Sequence, residues 1–310
     1  MTSSWSRRQF IAGLGAGAVV STASLRVLGE AVRYDEKQAI RFGYAAITWE
    51  GNDVQAIKDI SDLGFKGIQL RSNLLKDFGE RPEALRALLQ EHKLEMVAFS
   101  SGGVRIGPNT EAEEIAKHTS NAKFVRAVGG RYLQVTDSAR PKDRKPEASD
   151  FKQLGSVLTE IGKRASDIGI PLGYHNHMAS LGESPEEVDR IMDAADPRFV
   201  KFELDIAHYQ QGGGDPARAI RQYRDRLLFL HIKDVEDLTT SDSRGRAYRW
   251  VELGRGRVNL PEVFAALKEV KFNGWAIVEL DAVPDKTRTP KECAQVSIKY
   301  LEEKLKLKVI

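Results

Sequence analysis

Three short apolar runs in this chain each deliver side chains able to bind a metal ion. Phe202–His208 carries Glu203, Asp205 and His208. Leu230–Asp234 carries His231 and Lys233, and Val278–Asp281 carries Glu279 and Asp281. The best-placed ligands arrive in the order Asp205, His231, Glu279. Carboxylates and an imidazole converging from successive buried strands suit one divalent cation, whether Mn²⁺, Mg²⁺ or Zn²⁺. Such an ion polarises a carbonyl and stabilises the charge left when the neighbouring proton is removed. The pattern predicts a metal-dependent enzyme acting on an oxygen-rich small molecule.

Each residue also has a plainer reading. Asp205 can cap a loop, and a single His231 would more often be a hydrogen-bonded core histidine. Glu279 at the end of a Val-Glu-Leu run is costly to bury without a cation or partner. Lys233 can contact a substrate oxygen or pair with Asp234 or other neighbours. Trp250, in a polar stretch, is the best candidate for a sugar platform. The run Leu253-Gly254-Arg255-Gly256-Arg257 fits a weak phosphate-loop pattern or a tight turn equally well.

These residues need elements to position them. Strand-like runs fall at Arg41–Thr48, Lys66–Arg71, Leu94–Ser100, Arg131–Thr136, Ile170–His175, Phe199–Asp205, Leu227–Ile232 and Trp275–Leu280. Amphipathic stretches separate them, several opening on an N-cap and a proline, as at Ser184-Pro185 and Thr289-Pro290. Glycine precedes several strands, as at Gly64, Gly129, Gly169 and Gly274. Eight strictly alternating units predict a single (β/α)8 TIM barrel over residues 39–310, with its site at the C-terminal ends of the strands. Strand alternation puts Glu203 with Asp205, His231 with Lys233, and Gly173 with His175 and His177 on shared faces. No G-x-G-x-x-G run opens the first helix, so a dinucleotide fold has no support.

Composition narrows the partners. A hydrophobic fraction of 41% in 310 residues supports a real core, and 47 basic against 44 acidic residues leave a net charge of only +3. That balance gives no basic field, so no nucleic-acid partner is expected. The single Cys293 rules out intrachain disulfides and a cysteine-based zinc site. Ser6-Arg7-Arg8-Gln9-Phe10-Ile11 matches the twin-arginine export pattern, followed by an apolar stretch too short for a spanning helix. Residues 1–38 are therefore expected to be a signal and linker, and the protein to be exported or periplasmic without stable membrane insertion. An oligomer is compatible with the sequence.

The combination of Tyr174-His175-Asn176-His177, Leu204-Asp205-Ile206-Ala207-His208, Leu230-His231-Ile232-Lys233-Asp234, Leu253–Leu260 and Val278-Glu279-Leu280 resembles the xylose-isomerase-like superfamily of sugar isomerases and epimerases. The likeness spans nearly all of Ile40–Leu305 and is nearest to the inosose-dehydratase-like branch. It implies a divalent metal held by four ligands, of which Asp205, His231 and Glu279 match three. The strand-five glutamate of the epimerases falls near Gly173, which cannot bind metal. The resemblance implies Glu183 as the fourth ligand, with His175 or His177 as the alternative. It further implies Glu279 or Glu183 as base, His175, His177 or His208 as partner acid/base, and Lys233 orienting a substrate oxygen. The expected function is keto-sugar isomerisation or epimerisation by proton abstraction next to a carbonyl. Dehydration of a keto-sugar or inosose, or lyase cleavage of a 3-keto-glycoside, is the alternative. An exported, non-catalytic sugar-binding barrel is the non-enzyme reading. A DNA-repair nuclease of the related barrels would need three metals and more than the six histidines present.

Overall fold

The computed structural model describes residues 40–242 and 245–309; the export signal expected before Ile40 lies outside them. Eight parallel strands close into a barrel. They are β1 (Ile40–Ala45), β2 (Gly67–Arg71), β3 (Glu95–Val104), β4 (Tyr132–Asp137), β5 (Leu172–His175), β6 (Val200–Asp205), β7 (Leu227–Ile232) and, as the tenth strand in chain order, β10 (Gly274–Val278). Two more, β8 (Asp234–Asp237) and β9 (Tyr248–Val251), form a separate antiparallel hairpin. The expected (β/α)8 TIM barrel is therefore present. The hairpin was not expected, because its polar strands lack an apolar run.

The barrel forms because its strands are buried on both faces and read as near-continuous apolar segments. Leu227–Ile232 and Gly274–Val278 illustrate this, the latter buried throughout. Helices such as Glu111–Val128, Ala148–Asp167 and Leu260–Glu269 lie between strands, as alternation demands. Their starts follow the capping chemistry. Ser184 Oγ accepts from Glu187 N–H, and the Glu187 carboxylate accepts from Ser184 N–H, closing a capping box before Pro185–Ala194. Among the described residues, no helix is long and apolar enough to cross a membrane.

Register decides what meets at the strand ends. Parallel pairing sets His175 beside Glu203, and Asp205 beside His231. Gly173 keeps this space open: a Cβ on it would crowd Glu203 Cβ at 3.2 Å and Phe229 Cε1 at 3.3 Å. The glycine leaves the barrel interior to the side chains of β6 and β7.

The Gly-rich run after β9 wraps around a carboxylate of its own chain. Asp234 Oδ2 accepts from Gly254 N–H at 3.0 Å and Gly256 N–H at 2.9 Å, while Oδ1 accepts from Val235 N–H at 2.9 Å and Val258 N–H at 3.0 Å. Its backbone donors are thus already filled, which settles the phosphate-loop alternative in favour of a structural turn. Gly256 admits no side chain, since a Cβ there would stand 2.2 Å from Asp234 Oδ1. Asp234→Ala would leave these buried N–H groups without an acceptor. We expect it to lower the unfolding free energy by about 3 kcal/mol, read from urea denaturation. An unchanged midpoint would show that the loop closes without this carboxylate.

Candidate metal centre

The C-terminal halves of β6 and β7 and the residue after β10 bring Glu203, Asp205, His231 and Glu279 into one buried group. Asp205 divides its carboxylate between two tasks. Oδ1 caps the short helix Ile206–Gln211, accepting from Ala207 N–H at 2.9 Å and His208 N–H at 2.8 Å. Oδ2 is left facing His231 Nδ1 at 3.5 Å. The capping and ligand readings of Asp205 are therefore compatible, one oxygen serving each. Asn176 fixes the turn by donating to Asp205 C=O and accepting from Asp205 N–H.

His231 is oriented from behind. Its Nε2 lies 2.8 Å from Gln69 Oε1, and Gln69 Nε2 donates in turn to Gln134 Oε1. Nε2 therefore carries the proton, and Nδ1 points at carboxylate oxygens. These are Glu203 Oε1 at 3.3 Å, Asp205 Oδ2 at 3.5 Å and Glu279 Oε1 at 3.3 Å. His231 Nδ1, Asp205 Oδ2 and Glu203 Oε1 are buried without a hydrogen-bond partner of good geometry. A buried imidazole nitrogen facing several carboxylates needs either a proton or a metal cation between them. Around a tetrahedral ion with bonds of 2.0–2.2 Å, ligand atoms stand about 3.3–3.6 Å apart. The distances from His231 Nδ1 to Asp205 and Glu279 match that edge length. Asp205, His231 and Glu279 thus have the donor types, spacing and unsatisfied atoms of a divalent-cation site.

The charges respond as a crowded anionic site should. Burial pushes the Glu203 carboxyl up. Burial works the same way on Asp205 and Glu279, but Lys233 and His231 outweigh it and hold both below the usual carboxylate range. Burial opposes charge on His231 too, yet Glu203 and Glu279 raise its pKa well above the ordinary imidazole value. The Lys233 ammonium is fully buried. It lies 3.0 Å from Glu279 Oε1 and 3.8 Å from Asp205 Oδ2, contacts Asp281, and sits 4.6 Å above the Trp250 ring. It pairs with these carboxylates and not with Asp234.

The structure does not bring Glu183 into this group. Its carboxylate accepts from Ala179 N–H at 2.7 Å and lies 3.8 Å from Arg140, closing the turn ahead of helix Pro185–Ala194. It belongs to none of the metal-competent groups among the described residues. Glu203 occupies the interior instead, with Oε2 2.7 Å from His175 Nδ1. Strand parity placed Glu203 on the same face as Asp205. The signal that it enters the cluster was Gly173, which vacates the neighbouring strand. His175, His177 and His208 form a second group. His177 Nδ1 lies 2.6 Å from Met178 C=O, and its ring lies against that of His208, with centroids 3.9 Å apart and planes tilted by 33°. Burial first, then the charge of His175, lowers the pKa of His177. Trp250, the platform candidate of the polar stretch, lies on β9 and is buried against His208, with ring centres 4.4 Å apart.

Two outcomes follow for the purified protein. Elemental analysis should find about one divalent ion per chain. Asp205→Ala and His231→Ala should lose it, and Glu183→Ala should keep it; loss in Glu183→Ala would return that residue to the ligand set. The ion must also displace a proton from His231, whose pKa is raised in the free site. Affinity should therefore increase with pH until His231 is neutral, falling about tenfold per pH unit below that point. Calorimetry in buffers of different ionisation enthalpy would detect the released proton, and a pH-independent affinity would contradict the assignment.

Comparison with known proteins agrees with the barrel. Residues 57–304 match the model of the Xylose isomerase-like TIM barrel family. The inosose dehydratase of Geobacillus kaustophilus is 27% identical over 278 residues, covering 79% of this chain and 88% of that protein. That of Lacticaseibacillus casei strain BL23 is 27% identical over 297 residues, covering 86% of this chain and 96% of that protein. Among solved structures, the IOLI protein with a bound zinc atom superposes with a TM-score of 0.72 at 20% identity, covering 85% of this chain and 97% of that one. The 3-keto-D-glucoside 4-epimerase YcjR of E. coli superposes with a TM-score of 0.65 at 17% identity, covering 84% and 99%. At these identities the structural likenesses speak for a shared fold. The family match spans most of the barrel, and with it the chain belongs to the Xylose isomerase-like TIM barrel family.

Proposed function

We propose that the protein is a divalent-metal-dependent lyase that removes water from a keto-sugar or keto-cyclitol. The observation that carries the metal dependence is His231 Nδ1, oriented by Gln69 into the carboxylate oxygens of Asp205 and Glu279. Relatives named inosose dehydratases along most of the chain support dehydration over the isomerase reading. Asp205, His231 and Glu279 would hold the ion and leave positions open for substrate oxygens, as catalytic sites do. The imidazole among the ligands favours zinc over magnesium. The ion would supply Lewis-acid polarisation of a substrate carbonyl.

The chain's own groups would do the rest. Glu203 stands behind His175 Nδ1 at 2.7 Å, a carboxylate–imidazole dyad that would take the proton next to the carbonyl. His177, half-buried beside it, would carry the proton to or from the departing hydroxyl. Lys233 would balance the carboxylates and face a substrate oxygen. The Ser6–Ile11 pattern supports export, so free sugars and not phosphorylated intermediates would be the substrates met.

Incubation of the zinc-loaded protein with an inosose or a 3-keto-sugar in D₂O tests the reading. Dehydration should produce a conjugated enone absorbing in the near ultraviolet. His175→Asn and Glu203→Gln should each slow it about a hundredfold while retaining the ion. Deuterium entering recovered substrate without enone would favour the isomerase reading. Neither product, with metal bound, would sink proton abstraction altogether.

A further inference from the structure

The N-terminal end of the barrel, opposite the metal centre, carries a cavity of about 620 Å³. Register fixes its position. β1 opens at Ile40 beside Gly274, the first residue of β10, and Ile40, Phe272 and Asn273 all line the cavity. Its floor is apolar and buried, made by Phe42, Phe264, Leu267 and Phe272. Its rim is cationic. Lys268, Lys271, Lys306 and Lys308 are exposed there, and among the described residues no acidic side chain lines the cavity. Lys268, Lys271 and Lys306 form no salt bridge among the described residues. The C-terminal tail shows how the two characters are kept apart. Leu305 and Leu307 turn inward and are half-buried, while Lys306 and Lys308 between and after them face solvent.

An apolar floor beneath a ring of ammonium groups fits a partner with apolar chains and anionic heads. A second copy of this chain does not fit. In a symmetric pair the same patch meets itself, and the four lysines of one rim would face the four of the other. The chain's own course points to a membrane. The residues before Ile40 carry the twin-arginine pattern, expected to take the protein across a membrane, and they join the barrel at the wall of this cavity.

We propose that this basal face docks on a membrane containing anionic phospholipid, with the rim lysines on lipid phosphates and the cavity receiving the apolar part of a lipid. The docking is peripheral, since it uses no inserted helix. It turns the metal centre, at the other end of the barrel, toward the aqueous side. It stands independently of the reaction assigned to that centre.

Co-sedimentation of the full chain with vesicles tests the docking. The protein should bind vesicles of equal parts phosphatidylcholine and phosphatidylglycerol, and salt should release it. Vesicles of phosphatidylcholine alone should retain little. Replacing Lys268, Lys271, Lys306 and Lys308 together by glutamine should weaken binding by about a hundredfold or more. These side chains are exposed, so the variant keeps the fold. Lys76, Lys142, Lys152 and Lys286 follow the C-terminal ends of β2, β4 and β10, and replacing those four removes the same charge from the opposite end. That change should cost less than about threefold. Equal loss in the two variants would mean diffuse attraction to net charge and overturns the proposal. Unchanged binding in the rim variant also overturns it, because the affinity would then lie elsewhere in the chain. Leu307→Ser, on the cavity wall, should weaken binding about tenfold. No loss there would leave headgroup attraction alone and overturn the lipid-receiving cavity.

Discussion

The organisation of the upper barrel follows from one costly arrangement, the burial of Glu203, Asp205 and Glu279 around a single imidazole nitrogen. Three carboxylates taken out of water repel one another and lose their hydration, and such a group persists only if positive charge is supplied. Lys233 provides part of it and a protonated His231 more, but neither gives Asp205 Oδ2 or Glu203 a hydrogen bond of good geometry. A divalent ion would meet the remaining demand, with donor spacing already that of its coordination shell. Apolar packing elsewhere holds the strands closed and so holds these charges in place.

Several backbone devices serve that centre. Asp205 spends one oxygen on a helix cap, which fixes the direction of the other. Gln134 orients Gln69, which orients His231, so a polar relay across the barrel interior selects the ring nitrogen presented to the carboxylates. Partners hydrogen-bonded behind a ligand in this way fix its tautomer and orientation and raise its basicity. The backbone of Met178 performs the same service for His177 and His208: its C=O accepts from His177 Nδ1 and its N–H donates to His208 Nδ1, which selects opposite tautomers.

The β8–β9 hairpin completes the wall of the site. It brings Trp250 against His208 and beneath Lys233, and it is anchored by the Asp234 carboxylate through the Gly-rich turn. Neighbouring residues of one motif therefore face opposite tasks: Lys233 turns inward to the charges, and Asp234 turns outward to the loop. The Gly-rich run is as much a part of the site as the ligands, because the aromatic floor depends on it.

Much was legible in the residues alone. Alternation of apolar runs with amphipathic stretches determined the eight-unit barrel, since strands buried on both faces and helices buried on one leave different periodicities. The same runs marked Asp205, His231 and Glu279, because a charged residue ending an apolar strand requires a partner. The remaining choices needed three dimensions. Glu183 and Glu203 are equally acidic in sequence, and only strand register and the space vacated by Gly173 put Glu203 in the interior while Glu183 closes a turn. Trp250 sits among polar residues, yet hairpin pairing buries it. Spacing along a chain specifies which side chains share a strand face; which atoms then meet depends on register between strands and on backbone groups whose direction is set only once the barrel has closed.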